Sequence, residues 1–312
     1  MNKKKFKDVL VVLGGTSGER AVSLQSGTAC VKALKKKGYK VSTFDPKKKN
    51  FNLIDKKKID VIFNALHGRD GEDGVAQSYF EYLKIPYTHS GVLSSYNSMN
   101  KIISKKLFIK NKIKTPKFFS INKSDYKKNS ILNIINNSKI NFPVVSKPVN
   151  EGSSLGVKIY KNKKELFNSI RSLFKKYDEL IFEEYIGGQE VQVAVINDNP
   201  LGAIELIPRR LFYDYKAKYT KKANTRHVMP ARLSKKNYRE VLRIAKKTHQ
   251  VLKCRGVTRS DFKFYNNRFY LLELNTQPGM TSLSLVPEIA NYNGISFENL
   301  VEKILLDASI NK

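Results

Sequence analysis

Residues 257–275 read VTRSDFKFYNNRFYLLELN, two strand-like runs on either side of the pair Asn266-Asn267. This short polar link predicts a hairpin. Glu273 and Asn275 stand two residues apart on one strand, so they share a face, and the hairpin brings Asp261 beside them. Three oxygen donors on adjacent strands suit Mg²⁺, which takes few protein carboxylates together with substrate phosphates. The alternative is a solvent-facing edge hairpin, which the leucines around Glu273 disfavour.

A second candidate element lies upstream, where Lys147 ends the short apolar strand Phe142–Lys147. The loop that follows contains Glu-Gly-Ser-Ser-Leu-Gly at residues 151–156. Small residues let backbone N–H groups approach phosphate oxygens closely. The spacings of a Walker A loop and of a G-x-G-x-x-G fingerprint are both absent. Most Gly/Ser loops are only turns, but a lysine next to this one favours a phosphate site.

The first ninety residues follow the pattern of an open parallel sheet. Predicted strands and a helix alternate in the order Val9–Leu13, Ala21–Lys37, Tyr39–Phe44 and Ile59–Asn64. Ligands bind at the carboxyl ends of such strands, where the segments 14–20 and 67–74 both fall. Taken alone, Glu19 is better explained as a residue that starts a helix. Taken alone, His67 is better explained as a turn histidine.

Two further segments carry expectations that the structure tests. Residues 94–111 predict one continuous helix. Residues 208–230 are polar, with little periodicity and several cations and phenols. A loop of this length is either a lid that closes over phosphates or an ordinary exposed loop, and spacing alone does not separate the two.

Composition limits the class of protein. The chain has 312 residues, enough for two or three domains, and its 41% hydrophobic content excludes a wholly disordered chain. Two distant cysteines argue against a disulfide scaffold or a cysteine-rich zinc site. There is no apolar run of about 18 residues, so no membrane span is predicted. The apolar start runs directly into Gly14-Gly15 rather than forming a signal peptide, which predicts a cytoplasmic protein.

The net charge of +31 raises the alternative of a protein that binds nucleic acid or another polyanion. The lysines, however, occur in short runs along the whole chain, without one basic stripe and interleaved aromatic residues. This pattern favours a lysine-rich surface and predicts no nucleic-acid partner. Salt-dependent binding to duplex DNA at physiological salt would support the alternative.

Five segments in one order closely resemble the D-alanine–D-alanine ligases of bacterial cell-wall synthesis, which belong to the ATP-grasp superfamily. The segments are Gly14-Gly-Thr-Ser-Gly-Glu-Arg20, Ala65-Leu-His-Gly-Arg69, Lys147-Pro148 with residues 151–156, Phe212-Tyr-Asp-Tyr-Lys-Ala-Lys-Tyr219, and Leu272-Glu-Leu-Asn-Thr-Gln-Pro-Gly-Met-Thr-Ser282. The resemblance runs from about Val9 to Leu305. No single motif is specific, but five in order are.

The resemblance implies an α/β fold of ATP-grasp type, with an N-terminal doubly wound (preATP-grasp, Rossmann-like) domain at 1–90. It also implies a central ATP-grasp subdomain at 91–186 and a C-terminal one at 187–312 with a lid loop at 209–230. The implied reaction joins two D-alanines through an acyl phosphate, with ADP and phosphate released, for peptidoglycan precursors. ATP and two Mg²⁺ ions, or Mn²⁺ in their place, are the implied cofactors. The family is usually a homodimer.

The resemblance also implies roles for particular residues around the first substrate. Glu19 faces the ammonium group of the first D-alanine, and Ser153 and Tyr219 form a hydrogen-bonded set with it. His67 lies beside the same substrate. Further implied roles are the stabilisation of the developing oxyanion by Arg259 and the N–H of Gly279, and the binding of the second D-alanine's carboxylate by Ser284 and Leu285.

The nucleotide and metal residues follow from the same resemblance. Lysines on the ATP phosphates are Lys101, Lys147 and the lid residue Lys218. The adenine lies at the strand end formed by Glu183, Tyr185 and Ile186, and the ribose is bound by Glu190. The two metal ions are held by Asp261, Glu273 and Asn275.

Departures from the family pattern are small. Leu283 replaces a histidine common near the second substrate, Tyr185 replaces a common tryptophan, and Glu184 replaces a common lysine. Related ligases that accept D-lactate carry phenylalanine at the position of Tyr219, so the tyrosine favours a plain dipeptide. A ligase with D-lactate or D-serine as acceptor remains the alternative.

Overall fold

The computed structural model describes residues 5–126, 133–135, 137–208, 225–281 and 283–310. The strands in these ranges are β1 Asp8–Val12, β2 Lys40–Phe44, β3 Val61–Asn64, β4 Phe118–Asn122, β5 Val144–Pro148, β6 Lys158–Tyr160, β7 Glu179–Glu184, β8 Gln189–Ile196, β9 Asn199–Ile207, β10 Arg226–Val228, β11 Val257–Tyr265 and β12 Arg268–Asn275. The helices are α1 Arg20–Lys36, α2 Val75–Leu83, α3 Val92–Met99, α4 Lys101–Lys110, α5 Lys163–Phe174, α6 Lys235–Val251, α7 Leu285–Tyr292 and α8 Phe297–Leu306.

The N-terminal sheet is parallel, with strand order β2-β1-β3. Its central strand β1, sequence DVLVV, is buried along almost its whole length, as expected for a strand covered on both faces. The predicted order of strand, turn, helix and two strands is confirmed. The carboxyl ends of β1 and β3 therefore lie side by side, and the segments that follow them meet at one edge.

The other two described sheets are antiparallel. The first has the order β4-β7-β5-β6 and packs on α5, through residues such as Leu166 and Phe182. The second has the order β10-β9-β8-β11-β12. One face of this second sheet packs on α6, with Val191, Val193 and Phe262 in the core. Alternate residues of its strands then point toward the opposite face, which is where the functional residues lie.

The C-terminal helices α7 and α8 complete the core of the N-terminal sheet. Leu34 of α1 packs in one cluster with Ile204 of β9, Ile289 of α7 and Val301 of α8. Ser309 also pairs its backbone with Tyr87, next to the parallel sheet. The two ends of the chain are thus joined by apolar packing.

Two sequence expectations are wrong. Residues 94–111 form two helices, α3 and α4, because the side chain of Asn100 accepts hydrogen bonds from the N–H groups of Ile102 and Ile103 and so starts a new helix. The predicted loop across 209–230 contains the strand β10, which pairs with β9. Residues 209–224 of that loop lie outside the described residues.

Within the described ranges, no helix is both long enough and apolar enough to cross a lipid bilayer.

Candidate active site

The hairpin of β11 and β12 builds one wall of the site. Asp261 lies directly opposite Glu273, and Arg259 directly opposite Asn275. The turn residues Asn266 and Asn267 both have positive φ, as a tight hairpin turn requires. The prediction that a hairpin brings Asp261 beside Glu273 and Asn275 is confirmed.

Arg259 and Asp261 form a bidentate ion pair on this wall. The Nε and an Nη atom of Arg259 donate to the two carboxylate oxygens of Asp261 at 2.8 and 3.0 Å. Both side chains are largely buried. A planar guanidinium matches a carboxylate in this way more closely than an ammonium group can. The pair therefore holds one cation and one anion in fixed positions inside the site.

The donor set of the hairpin fits a hard cation. The atoms of Asp261, Glu273 and Asn275 that can ligate a metal are oxygens, and Asn275 is held in place because its Oδ1 accepts a hydrogen bond from the N–H of Gln277 at 2.9 Å. In the part of the chain that is described, no three His, Cys, Asp or Glu side chains converge as a metal site. Two carboxylates and an amide would suit Mg²⁺ with substrate phosphates as further ligands.

The hairpin and the loop of residues 151–156, here called the serine loop, face each other across one cavity. Arg259, Glu273 and Asn275 line it from the hairpin, and Gly152 and Ser153 line it from the loop. A neighbouring cavity shares Lys101, Glu151 and Glu273 with the first; its further lining includes Lys147, Glu190 and Asp261. The two cavities form one cleft, in which the Asp-Glu-Asn trio of the hairpin faces the serine loop.

Two of the predicted phosphate lysines lie in this cleft. Lys101 begins α4, and its Nζ donates to the carbonyl oxygen of Glu151 at the start of the serine loop. Burial lowers the pKa of Lys101. Burial acts on Lys147 in the same direction, but the carboxylates of Glu183 and Glu273 outweigh it and raise the pKa of Lys147. Both lysines line the cleft between the hairpin and the loop.

Glu183 is held between two lysines rather than facing solvent. Its carboxylate lies 2.8 Å from Nζ of Lys147 and 3.2 Å from Nζ of Lys105. Lys105 also donates to Oγ1 of Thr115 at 2.7 Å. Burial lowers the pKa of Lys105 to about 8, and the two lysines hold the pKa of Glu183 below its usual value despite its burial. The carboxylate of Glu183 is thus committed to the lysines, and an adenine contact by this residue stays a prediction.

The other predicted nucleotide residues follow along the chain. Tyr185 and the buried Ile186 come directly after β7, and the N–H of Tyr185 donates to the carbonyl of Pro143 at 3.2 Å. Glu190 lies on β8, where it accepts a hydrogen bond from Lys263 at 3.0 Å. Their roles toward adenine and ribose stay predictions.

The side chain of Glu19 contacts the serine loop. It occupies the position before α1, but its side chain does not cap that helix. Instead, Oγ of Ser153 donates to its carboxylate. The helix-start explanation of Glu19 therefore does not account for its side chain, which joins the N-terminal sheet to the central one.

His67 is buried beneath the same edge. Its Nε2 lies 3.1 Å from Oγ of Ser26, and the hydroxyl of Ser17 donates to its carbonyl at 2.6 Å. Burial, with a smaller contribution from the nearby Arg259, lowers its pKa to about 4. The histidine is therefore neutral at pH 7, and it is not an exposed turn residue.

This pKa predicts a pH-dependent stability. Between pH 6.5 and 4 the unfolded chain takes up a proton on His67 that the folded chain does not, so acidification in this window lowers the free energy of unfolding. We expect His67→Gln to lose less stability than the unmodified chain between pH 7 and pH 5, measured by urea unfolding. Equal losses in the two proteins would contradict the prediction.

Glu72 is a residue of the site that no sequence pattern singled out. It lines the cavity and is buried, and burial together with the neighbouring Glu19 raises its pKa well above the usual value for glutamate. The only sequence signal was its place in the segment after His67, between two glycines. The raised pKa favours the protonated form of this carboxyl group, which can donate a hydrogen bond as well as accept one.

The far end of the cavity is formed by Gly279, Leu283, Ser284 and Leu285. The hydroxyl oxygen of Ser284 accepts a hydrogen bond from the N–H of Thr281 at 2.9 Å, and Leu285 is the first residue of α7. A side chain at Gly279 would place its Cβ 2.9 Å from Oγ of Ser284. A helix start with free N–H groups favours a carboxylate ligand. Lys218 and Tyr219 lie outside the described residues.

Two protein-family models match the chain. The model for the D-ala D-ala ligase N-terminus matches residues 44–90, and the model for the D-ala D-ala ligase C-terminus matches residues 107–306.

Individual proteins match over nearly the whole chain. The sequence is 54% identical over 306 residues to the D-alanine–D-alanine ligase of Pelagibacter ubique (strain HTCC1062), which covers 98% of this chain and 99% of that protein. It is 41% identical to the D-alanine–D-alanine ligase of Rickettsia typhi (strain ATCC VR-144 / Wilmington), with 97% and 92% covered. The crystal structure of the Bacillus anthracis D-alanine–D-alanine ligase superposes with a TM-score of 0.83 at 33% identity and covers 96% of this chain and 97% of that one. Its complex with ATP gives 0.81 at 32% identity, with 97% of both chains covered.

Proposed function

The chain belongs to the D-alanine–D-alanine ligase family, and we propose that it joins two D-alanines to D-alanyl-D-alanine while ATP is converted to ADP and phosphate. The product would serve peptidoglycan precursor synthesis. The observation that carries this proposal is the single cleft in which the Asp261/Glu273/Asn275 hairpin faces the serine loop. The substrates of the cleft are inferred from the match, over nearly the whole chain, to proteins named D-alanine–D-alanine ligases.

Lysines and the hairpin would hold the nucleotide. Lys101 and Lys147 are buried cations next to the serine loop, whose N–H groups would bind phosphate oxygens. Lys218 would approach from the lid. Glu190 would bind the ribose, and Tyr185 and Ile186 the adenine.

Magnesium would be held by Asp261, Glu273 and Asn275, whose oxygen donors fit it, and two such ions are expected. When bound, the metal neutralises phosphate charge and aligns the phosphates for transfer. Mn²⁺ has the same ligand preference. Arg259 donates to both carboxylate oxygens of Asp261. When Asp261 binds the metal, Arg259 would therefore have to share this carboxylate with the metal or release it.

The first D-alanine would lie between Glu19 and His67. Glu19, held by Ser153, offers a negative charge to the substrate ammonium. A carboxylate oxygen of this D-alanine attacks the terminal phosphorus of ATP, the bond to ADP breaks, and an acyl phosphate forms. Burial keeps water from this intermediate, and Tyr219 on the lid would complete the enclosure.

The second D-alanine would bind through its carboxylate to Ser284 and the start of α7. Its neutral amine attacks the acyl carbon and forms a tetrahedral oxyanion. Arg259 and Gly279 both line this cavity, and the guanidinium and the N–H of Gly279 would stabilise this charge. The carbon–oxygen bond to phosphate then breaks, the nitrogen gives up its extra proton to the leaving phosphate, and the dipeptide and inorganic phosphate remain.

The test of the function is ADP release measured in a coupled assay with D-alanine as the only amino acid. We expect release that depends strictly on D-alanine, with D-alanyl-D-alanine identified by mass. ADP release without D-alanine, or no dipeptide, would refute the proposal. Competition with D-lactate and D-serine decides the acceptor, and a depsipeptide or a mixed dipeptide as the main product would favour the alternative.

Gly152→Ala should weaken the first substrate site. A Cβ at residue 152 would lie 2.5 Å from Oε1 of Glu19 and 3.4 Å from Oε1 of Glu72, so the Glu19 carboxylate must move. We expect kcat/KM for D-alanine to fall about tenfold or more, as for loss of one charged hydrogen bond.

The matched control for this change is Gly187→Ala, since a Cβ at that position meets no atom within 4 Å. It should leave kcat/KM for D-alanine within about twofold. Equal effects of the two substitutions would show that displacement of Glu19 is not the cause.

We also propose that the protein is a homodimer formed through the exposed face of α2 and α3. This face carries Val75, Tyr79, Tyr82, Leu93 and Tyr96, and Tyr82 and Leu93 are 82% and 73% exposed. Residues 75–99 contain a single lysine and a single glutamate in a chain of net charge +31. Two copies of a chain with this positive charge repel each other least where charged residues are few. This favours the face of α2 and α3 as the dimer interface.

Sedimentation equilibrium tests this pairing. We expect a dimer of the unmodified chain and a monomer of Tyr82→Asp/Leu93→Asp with unchanged circular dichroism. A variant that stays dimeric would show that the interface lies on another surface. An unmodified chain that is monomeric would refute the proposed dimer.

The remaining expectations complete the proposal. We propose domain boundaries near residues 90 and 186, and the division of the strands among three sheets supports them. We expect the enzyme in the cytoplasm, where ATP is available, without nucleic-acid or membrane partners.

A further inference from the structure

Gln192 is a buried polar side chain that the reaction described above does not use. It is 1% exposed, and neither its amide nitrogen nor its amide oxygen has a hydrogen-bond partner in the described part of the chain. It nevertheless lines the cavity between the hairpin and the serine loop. Leaving both atoms of a buried amide unpaired is costly, so a partner is expected when the site is filled.

The sheet register gives the position of Gln192. Gln192 lies directly opposite Asp261, which lies directly opposite Glu273 on the next strand. The three side chains therefore form one row across β8, β11 and β12, on the face that borders the cleft.

The neighbouring rows define what lies on either side. Glu190, about 7 Å along the strand in one direction, marks the proposed ribose end. Arg259, opposite Ala194 about 7 Å in the other direction, marks the proposed oxyanion. The row of Gln192 is thus at the level where the terminal phosphoryl group passes from nucleotide to amino acid.

We propose that the amide of Gln192 is a ligand-binding group for the terminal phosphate of the nucleotide, its N–H donating to a phosphate oxygen. This inference rests on the proposed function for its substrate but adds a residue that the family resemblance did not assign. A phosphate oxygen accepts the N–H, and an amide adds this contact without more negative charge beside Asp261 and Glu273.

The experiment is calorimetric titration of the full-length protein, in the presence of Mg²⁺, with ADP and with the non-hydrolysable ATP analogue AMP-PNP. Gln192→Met keeps the size and removes the amide. It should weaken AMP-PNP binding about tenfold while the affinity for ADP changes less than twofold. Gln192→Glu keeps the shape but puts a carboxylate against phosphate, and should weaken AMP-PNP at least as much.

Gln189→Met is the matched control, because it makes the same chemical change on the same strand but on the opposite face. It should leave both affinities within about twofold. An equal loss for ADP and AMP-PNP, as a contact with the lid or with the ribose would give, overturns the inference. So does an unchanged AMP-PNP affinity in both Gln192 variants, or a parent that binds neither nucleotide. A parent that binds AMP-PNP but makes no dipeptide refutes the proposed function alone, since the nucleotide comparison still reports on Gln192.

Discussion

Glu273→Gln is expected to lower D-alanine-dependent ADP release by about a thousandfold while the protein stays folded. Glu273 lies opposite Asp261 and borders both parts of the cleft. The substitution keeps the shape but removes one of two carboxylates that would hold Mg²⁺, and a metal that organises phosphoryl transfer contributes several kcal/mol to the rate. The coupled ADP assay measures the loss, and the concentration of Mg²⁺ needed for half-maximal rate should rise.

Glu240→Gln provides the comparison for this charge removal. Glu240 lies on α6 in an exposed ion pair with Arg243, an interaction that is worth at most about 1 kcal/mol. It should leave the rate unchanged. Full activity of Glu273→Gln would remove the metal assignment from the hairpin, and a large drop in its melting temperature would assign the loss to folding instead.

The parts of the site that could be predicted from sequence are those set by local rules. The two asparagines at 266 and 267 make a tight turn, and an alternating strand then fixes which residues share a face. Asp261, Glu273 and Asn275 could therefore be grouped from the order of residues alone. The parallel N-terminal sheet was predictable for a similar reason, because its strands and helix follow one another directly.

The parts that could not be predicted depend on burial by distant segments. In the sequence Lys105 is one of many lysines, and only the packing of α4 beside β12 brings it to Glu183 as a buried partner. Glu72 becomes an unusual carboxyl group only because Glu19 comes from another segment. Gln192 carried a weak signal, since Glu190 and Gln192 alternate with valines on β8, but a polar alternation does not reveal which face borders a cleft.

Glu183→Gln should lower the free energy of unfolding by about 3 kcal/mol, the low end for breaking a buried ion pair. The carboxylate of Glu183 is nearly inaccessible and contacts the ammonium groups of Lys147 and Lys105. A neutral amide leaves two buried cations near each other without their shared anion. The loss is measured by urea unfolding at pH 7. ATP affinity should fall as well, because Lys147 loses the group that holds its ammonium in place.

A second substitution separates this charge effect from simple loss of packing. Adding Lys105→Met to Glu183→Gln removes one of the two uncompensated cations, and Lys105 does not border the cleft cavities described above. The double variant should therefore be more stable than Glu183→Gln alone, although Lys105→Met by itself destabilises the parent by removing half of an ion pair. Such opposite signs in the two backgrounds are a coupling that only interacting groups produce. If Lys105→Met destabilises both backgrounds equally, the lysines do not share Glu183, and the charge balance beneath the phosphate lysine must come from another group.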